Sequence, residues 1–231
     1  MVALDSSTLA LAGRCCGLGL AVFVACLSYQ WLFPKIIQYP YPRVVASASS
    51  SDKQKSVLLA GSYNPPHLGH LEMLKYLSSR YGRVVAVVGF NPSKKYDITP
   101  QQRLELLERM ISDAGLGHNV EARLVQGLIW RWASNNNIDR MYRGVRTWEV
   151  DGKDESYLLW QNTIWPVLIG PLKLPVRTIF LEGNPAFNHV SSSLIRGKCR
   201  EARGEGLKPG KKDLANLVPE CIAKSICEIY V

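Results

Sequence analysis

From residue 57 onward, short apolar and often β-branched runs alternate with longer stretches whose apolar positions recur at helical spacing. Val57-Leu58-Leu59-Ala60 and Val84-Val85-Ala86-Val87-Val88 are continuous apolar runs, the pattern of strands buried on both faces of a parallel sheet. Residues 120–124, Met141-Tyr142 and Thr178-Ile179-Phe180-Leu181 read as three further strands. Helix signals lie between them at residues 71–77, at Thr99-Pro100-Gln101-Gln102, at residues 128–135 and at Ser191-Ser192-Ser193. Thr99 is placed to cap, Pro100 to occupy the first helical position and Gln102 to close a capping box. The alternation predicts an α/β fold, a Rossmann-like, doubly wound parallel sheet of about five strands covered by helices.

The opening of the chain follows another pattern. Residues 15–34 carry no charge, and residues 18–27 are apolar apart from Gly19. Twenty uncharged residues reach the length of a bilayer span, and Tyr29 and Trp31 suit a membrane interface. Residues 43–56 are rich in Ser, Ala and Lys and read as a linker. No acidic residue occurs between Asp5 and Asp52, a pattern that also suits an organelle-targeting presequence. Residues 1–55 are therefore expected to lie outside the domain formed by 56–231. They would act as a membrane anchor through residues 15–34 or as a leader to a mitochondrion or plastid. A buried helix of the fold is the third reading.

Composition narrows the partners. The chain has 231 residues, 47% hydrophobic and 20% charged, which excludes a disordered protein. Of the net charge of +9, residues 1–55 hold five basic and two acidic side chains, so most of the surplus lies in the domain. No long Lys/Arg run or basic-aromatic interleaving points to nucleic acid, and phosphorylated small molecules fit best. The six cysteines show no C-x-x-C pair or zinc-finger spacing, so they read as idle thiols, with no protein metal site.

Four clusters carry candidate chemistry. Gly61-Ser62-Tyr63-Asn64-Pro65-Pro66-His67-Leu68-Gly69-His70 joins the first strand to a helix, with two histidines three residues apart. Free N–H groups at a helix start favour anions, Gly69 allows close backbone approach, and either imidazole can donate to a phosphate oxygen. After the second strand comes Asn91-Pro92-Ser93-Lys94-Lys95, after the fourth Arg143-Gly144-Val145-Arg146, and after the fifth Ser191-Ser192-Ser193-Leu194-Ile195-Arg196. In a parallel sheet these clusters meet at the carboxyl edge. Arginines there can grip phosphate bidentately, and the serines with Arg196 can form a second phosphate cradle. Glu182 is a lone carboxylate nearby. Donors and cations without a nucleophile or acid–base dyad indicate direct group transfer at phosphorus, with Mg²⁺ held largely by the nucleotide's own phosphates.

In order and spacing these motifs resemble phosphopantetheine adenylyltransferase, of the nucleotidyltransferase superfamily marked by H-x-G-H or T-x-G-H and a second Ser-rich motif. The resemblance spans most of residues 57–231 and extends to the closing Leu217-Val218-Pro219-Glu220. It implies that ATP and 4′-phosphopantetheine react to give dephospho-CoA and pyrophosphate. It places Ser62 on the reacting phosphates, with Gly61, Tyr63, His67 and Gly69 in the binding turn, and His70 on the pentacovalent transition state. Lys94 and Arg143 would take acceptor phosphate, Lys94 also the transition-state charge. Arg146, Ser191, Ser192, Ser193 and Arg196 would take the ATP side.

Asn64 stands where the family usually has Asp, and His67 where it usually has Thr. Residues 148–174 align poorly and carry extra residues such as Gly152-Lys153. That region shapes the acceptor pocket and subunit contacts in the family, so two questions stay open: a homo-oligomeric state, and an alternative acceptor such as nicotinate or nicotinamide mononucleotide, or CTP as the nucleotide. A membrane-tethered, non-catalytic nucleotide-binding protein is the alternative from another class.

Overall fold

The computed structural model describes residues 24, 28–29, 32–43, 50–89, 96–169, 175–204 and 214–230. Its centre is a six-stranded sheet of strands β1 (Lys35–Ile37), β2 (Ser56–Gly61), β3 (Arg83–Gly89), β4 (Val120–Val125), β5 (Arg140–Val145) and β6 (Arg177–Glu182). The spatial order is β1-β6-β5-β2-β3-β4, and every pairing is parallel. Helices α1 (Leu68–Arg80), α2 (Pro100–Asp113), α3 (Ile129–Asn135), α4 (Trp148–Leu168), α5 (Ser192–Gly204) and α6 (Glu220–Ile229) accompany the strands.

Each central strand is apolar on both faces because each face has a cover. Val57 and Leu59 of β2 face one cluster with Leu71, Leu74 and Leu77 of α1, Leu107 and Met110 of α2 and Ile222 and Ile226 of α6. The alternate residues Leu58 and Ala60 face a second cluster with Trp130 and Ala133 of α3. Burying a side chain such as Leu58 or Leu59 stabilises by about 1.5–3 kcal/mol. Period-two alternation thus fixes register, since a one-residue slip would exchange the two covers. The capping box at α2 forms as predicted: Gln102 N–H donates to Thr99 Oγ1 at 3.2 Å and Thr99 N–H to Gln102 Oε1 at 2.9 Å. Cys199 and Cys227 are buried in the core, consistent with idle thiols.

Two features depart from the expectation. The sheet has a sixth strand, and it comes from within residues 1–55: Lys35, Ile36 and Ile37 pair with Ile179, Phe180 and Leu181. Tyr41 reinforces this edge by donating its hydroxyl to Glu182 O at 2.8 Å and resting its ring 4.5 Å from that of Tyr76. Asp52, also from this segment, is buried and binds Lys55 at 2.7 Å, Arg80 at 2.9 Å and Arg140 at 3.5 Å. Burial alone would raise its pKa. The Lys55 hydrogen bond with the Arg140 and Arg80 charges overrides that, and the net shift is downward. The second departure is that the poorly aligned stretch 148–168 is one helix, with Gly152 packed so closely on Trp148 that a Cβ would lie 3.0 Å from the indole. Among the described residues no helix is long and apolar enough to cross a membrane, and most of residues 15–34 lie outside them.

Asp52→Ala leaves three cations without their carboxylate. Part of the penalty for breaking a buried pair is relieved because the cations reach solvent, so roughly 2 kcal/mol of stability should be lost. That corresponds to a drop of about 4–8 °C in Tm by calorimetry. An unchanged Tm would show that the segment before β2 is only loosely attached.

Candidate active site at the β2–β5 seam

The order of the sheet determines where a ligand can sit. From β2 the chain builds outward through β3 and β4, then returns to place β5 on the other side of β2 and continues to β6. The seam between β2 and β5 is the topological switch point, where connections leave in opposite directions and open a crevice beyond the carboxyl ends. Ala60 pairs with Arg143 across this seam, so the histidine turn and the arginine motif emerge side by side.

His67 is the N-cap of α1, and the His67 N–H donates to His70 Nδ1 at 3.3 Å. With Nδ1 accepting, neutral His70 carries its proton on Nε2. The two ring centroids lie 3.7 Å apart with the planes tilted by 32°, and the Tyr63 ring lies 4.7 Å from that of His70. Burial, then the neighbouring His67, hold His70 well below its ordinary pKa, and burial pushes His67 down to about 4. Both are neutral donors at physiological pH.

A cleft of about 210 Å³ opens beside them, lined by His67, Gly69, His70, Gly144, Arg146 and Ser191 among others. A Cβ at Gly144 would sit 2.6 Å from Met73 Sδ, so a side chain there would have to displace the methionine tip. Arg146 is held side-on by Asp151, Nη2 to Oδ1 at 2.6 Å, with the Arg146 N–H donating to Oδ2 at 2.7 Å. Arg143 is held in the same manner by Glu155, Nη2 to Oε1 at 2.7 Å. Asp151 and Glu155 stand one turn apart on α4, so one helix face orients both guanidiniums through Nε and Nη2 and leaves Nη1 without a partner among the described residues.

The remaining sequence-predicted residues take supporting places. Ser62 is exposed at the end of β2, just past Gly61. Tyr63 is fully buried with a positive φ of 45°, and its hydroxyl donates to Leu59 O, so its side chain backs His70 instead of facing the cleft. Ser191 Oγ caps α5 by accepting from Leu194 N–H at 3.1 Å, Ser192 Oγ donates to Pro65 O at 2.8 Å, and Ser193 Oγ accepts from Arg196. Arg196 itself donates to Asn64 O at 2.6 Å. Ser192 and Arg196 thus clamp the histidine turn, where the sequence suggested a phosphate cradle. Glu182 accepts from Trp148 N–H and caps α4. Lys94 and its loop lie outside the described residues.

Sequence reasoning missed the far wall of the cleft, Gly183 to Asn188, where Asn184 Oδ1 accepts from Ala186 N–H at 2.9 Å to start a short 3-10 turn. Its Asn-Pro signal after β6 was available. It also missed Arg103, which is fully buried on α2 and donates to Ser62 O at 2.6 Å and Gly89 O at 3.2 Å. Among the described residues, no group of three or more His, Cys, Asp or Glu could hold a metal ion.

Residues 58–198 match the model of the family described as cytidylyltransferase-like. The chain belongs to this family. Several proteins named phosphopantetheine adenylyltransferase are similar to it. The one from Leifsonia xyli is 32% identical over 139 residues, 60% of this chain and 82% of that protein. That from Kocuria rhizophila is 32% identical over 61% of this chain and 83% of its own length. That from Borrelia hermsii is 28% identical over 75% of this chain and 95% of its own length. Family membership makes the chain a nucleotidyltransferase, and the matched span contains both histidines, both arginines and the serine cap.

The depressed pKa values give a direct check. Between pH 7.5 and 5.5 the His67 imidazole signals in an NMR titration should stay those of the neutral ring, with a midpoint near 4. A midpoint above 6 would show that the ring is not enclosed by the turn. Because the folded pKa lies below the unfolded value of about 6.5, the unfolded chain binds more protons in this window, and stability falls as pH drops from about 6.5 toward 4.

Proposed function

We propose that the β2–β5 cleft transfers the adenylyl group of ATP to 4′-phosphopantetheine, giving dephospho-CoA and pyrophosphate. The observation that supports this best is the convergence of His70, a neutral Nε2–H donor, with the carboxylate-oriented Arg146 on one cleft, while Arg143, held in the same way from the same helix, directly precedes the cleft-lining Gly144. Relatives bearing the phosphopantetheine adenylyltransferase name over most of their length support the acceptor.

A phosphate oxygen of the acceptor attacks the α-phosphorus of ATP in line. The bond from that phosphorus to the β-bridging oxygen breaks as the new one forms, and pyrophosphate carries away the electron pair. His70 donates from Nε2 to a non-bridging α-oxygen as charge builds there. Arg143 holds the acceptor phosphate and Arg146 the departing phosphates, each through its free Nη edge. Lys94 would add charge from the β3–α2 connection. Neutral His70 suits this role, since it keeps one N–H to donate as a hydrogen bond while adding no net charge to the cleft. The donor set is imidazole and guanidinium, which grips phosphate oxygens and leaves Mg²⁺ to be held by the triphosphate, where it would offset negative charge.

Asn64, the departure from the family pattern, does not bear on the acceptor. Its side chain accepts from Tyr230 Oη at 2.6 Å and it is buried away from the cleft. His67 does line the cleft.

Two measurements test the reading. The full chain with ATP, Mg²⁺ and 4′-phosphopantetheine should release pyrophosphate; turnover with nicotinate mononucleotide and none with 4′-phosphopantetheine would overturn the acceptor. His70→Ala should lower kcat by on the order of 10²–10³-fold with little change in KM, as for a lost transition-state donor. A near-wild-type kcat in that variant would remove His70 from the chemistry.

A further inference from the structure

Among the described residues, basic side chains are not matched equally at the two edges of the sheet. At the carboxyl edge, the arginines near the cleft are matched by carboxylates: Arg143 by Glu155, Arg146 by Asp151, and Arg196 and Arg200 by Asp97. At the opposite, amino edge, four of the six strands begin on a basic residue: Lys35, Arg177, Arg140 and Arg83, the last paired with Glu121. A fifth, β2, follows directly on Lys55. Asp52 alone serves Lys55, Arg80 and Arg140. Lys35 and Arg177 are exposed and have no ion-pair partner among the described residues. Burial and the nearby Arg177, Arg140 and Arg80 hold the Lys35 ammonium below its ordinary pKa, a sign of how closely these cations are crowded. Helix C-termini attract cations and account for Arg80 in the last turn of α1. They do not account for a row of basic strand starts.

The same edge receives the apolar leader. Strand β1 is parallel to β6 and begins at Lys35, one residue after the uncharged stretch 15–34. The chain therefore enters the fold at the amino edge, with Leu32 and Phe33 exposed just before it. Cations at the end of an apolar segment are the arrangement that favours an anionic bilayer surface.

We infer that the amino edge of the sheet, centred on Lys35 and Arg177, lies against an anionic lipid surface to which residues 15–34 bring it. This rests on the membrane reading of that segment and is independent of the reaction in the cleft. It also fixes an orientation. A six-residue parallel strand rises about 20 Å, so the cleft opens on the far side, facing away from the lipid and toward soluble substrates.

The test uses the full chain, wild type and Lys35→Glu/Arg177→Glu, with vesicles of phosphatidylcholine alone or with about one-third phosphatidylserine. Wild type should float with anionic vesicles more strongly than with neutral ones, and that excess should vanish as salt rises. The double variant should lose at least about tenfold of the binding to anionic vesicles, judged by the contribution of each basic residue near such a surface. Its binding to neutral vesicles should be unchanged. Its far-UV spectrum and thermal transition should match wild type, since both residues are exposed at strand starts. If the reversal does not fold, Lys35→Gln/Arg177→Gln should show a loss of about threefold or more. Equal binding to both vesicle types, or variants that bind like wild type, would overturn the inference. So would an RNA or DNA oligonucleotide that displaces anionic vesicles and loses binding on the same substitutions, because the surface would then belong to nucleic acid. None of these readouts depends on adenylyl transfer.

Discussion

The decisive constraint is the parallel pairing of β2 with β5, which brings Ala60 beside Arg143 and so sets two distant motifs next to each other at one crevice. A strand pair alone would leave the six-residue connection from β2 to α1 free to wander, and it ends at His67, three residues before His70. It is instead tied down from four other elements. Arg103 of α2 holds Ser62 O, Arg196 and Ser192 of α5 hold Asn64 O and Pro65 O, Tyr230 after α6 holds Asn64 Oδ1, and the Leu68 N–H reaches Leu217 O before α6. Each tie contributes on the order of 1 kcal/mol net, somewhat more where a guanidinium donates. Their larger effect is preorganisation. A donor that must meet charge developing on phosphorus is useful only if it is already in place.

Arg103 shows why residue type matters in such a tie. Its planar guanidinium spans carbonyls at the ends of two neighbouring strands, Ser62 after β2 and Gly89 of β3, while Tyr96 covers its face at 4.1 Å. A lysine ammonium would lack the flat face on which the Tyr96 ring rests. The cost is a charge buried with no carboxylate paired to it among the described residues. That cost is tolerable where it locks the root of the turn and the start of the β3–α2 connection together.

The elements most legible in the sequence were those whose cause is local. The capping box at Thr99 needs only Thr, Pro and Gln at fixed offsets. The central strands announce themselves as apolar runs because both faces are covered. What was illegible depends on distant partners. The strand Lys35–Ile37 is too short to show a period and exists because β6 offers it an edge. Arg103 sits in a polar helix start and reads as a surface residue until α2 is laid on the sheet. Arg196 looked like a phosphate ligand, yet its partner lies 132 residues away in the turn. Tyr230 lies 166 residues from Asn64. Chemistry-bearing residue types were correctly drawn to one edge, but which of them touch the cleft was settled by packing.

The arginine pair is the case where sequence and structure together say more than either. Spacing alone offered two cations for phosphate. The structure shows each already satisfied side-on by a carboxylate one helical turn from the other. Had these arginines been unpaired, the empty cleft would hold concentrated positive charge that repels itself and binds any anion. With Asp151 and Glu155 present the two arginine charges are balanced, and each guanidinium offers a fixed Nη edge. A phosphate must then match two oriented forks at once to gain both contacts, and a stray anion that meets only one gains little. The charge balance that weakens nonspecific attraction is thus the same feature that sharpens geometry. It is supplied by α4, from the stretch where the family resemblance was weakest.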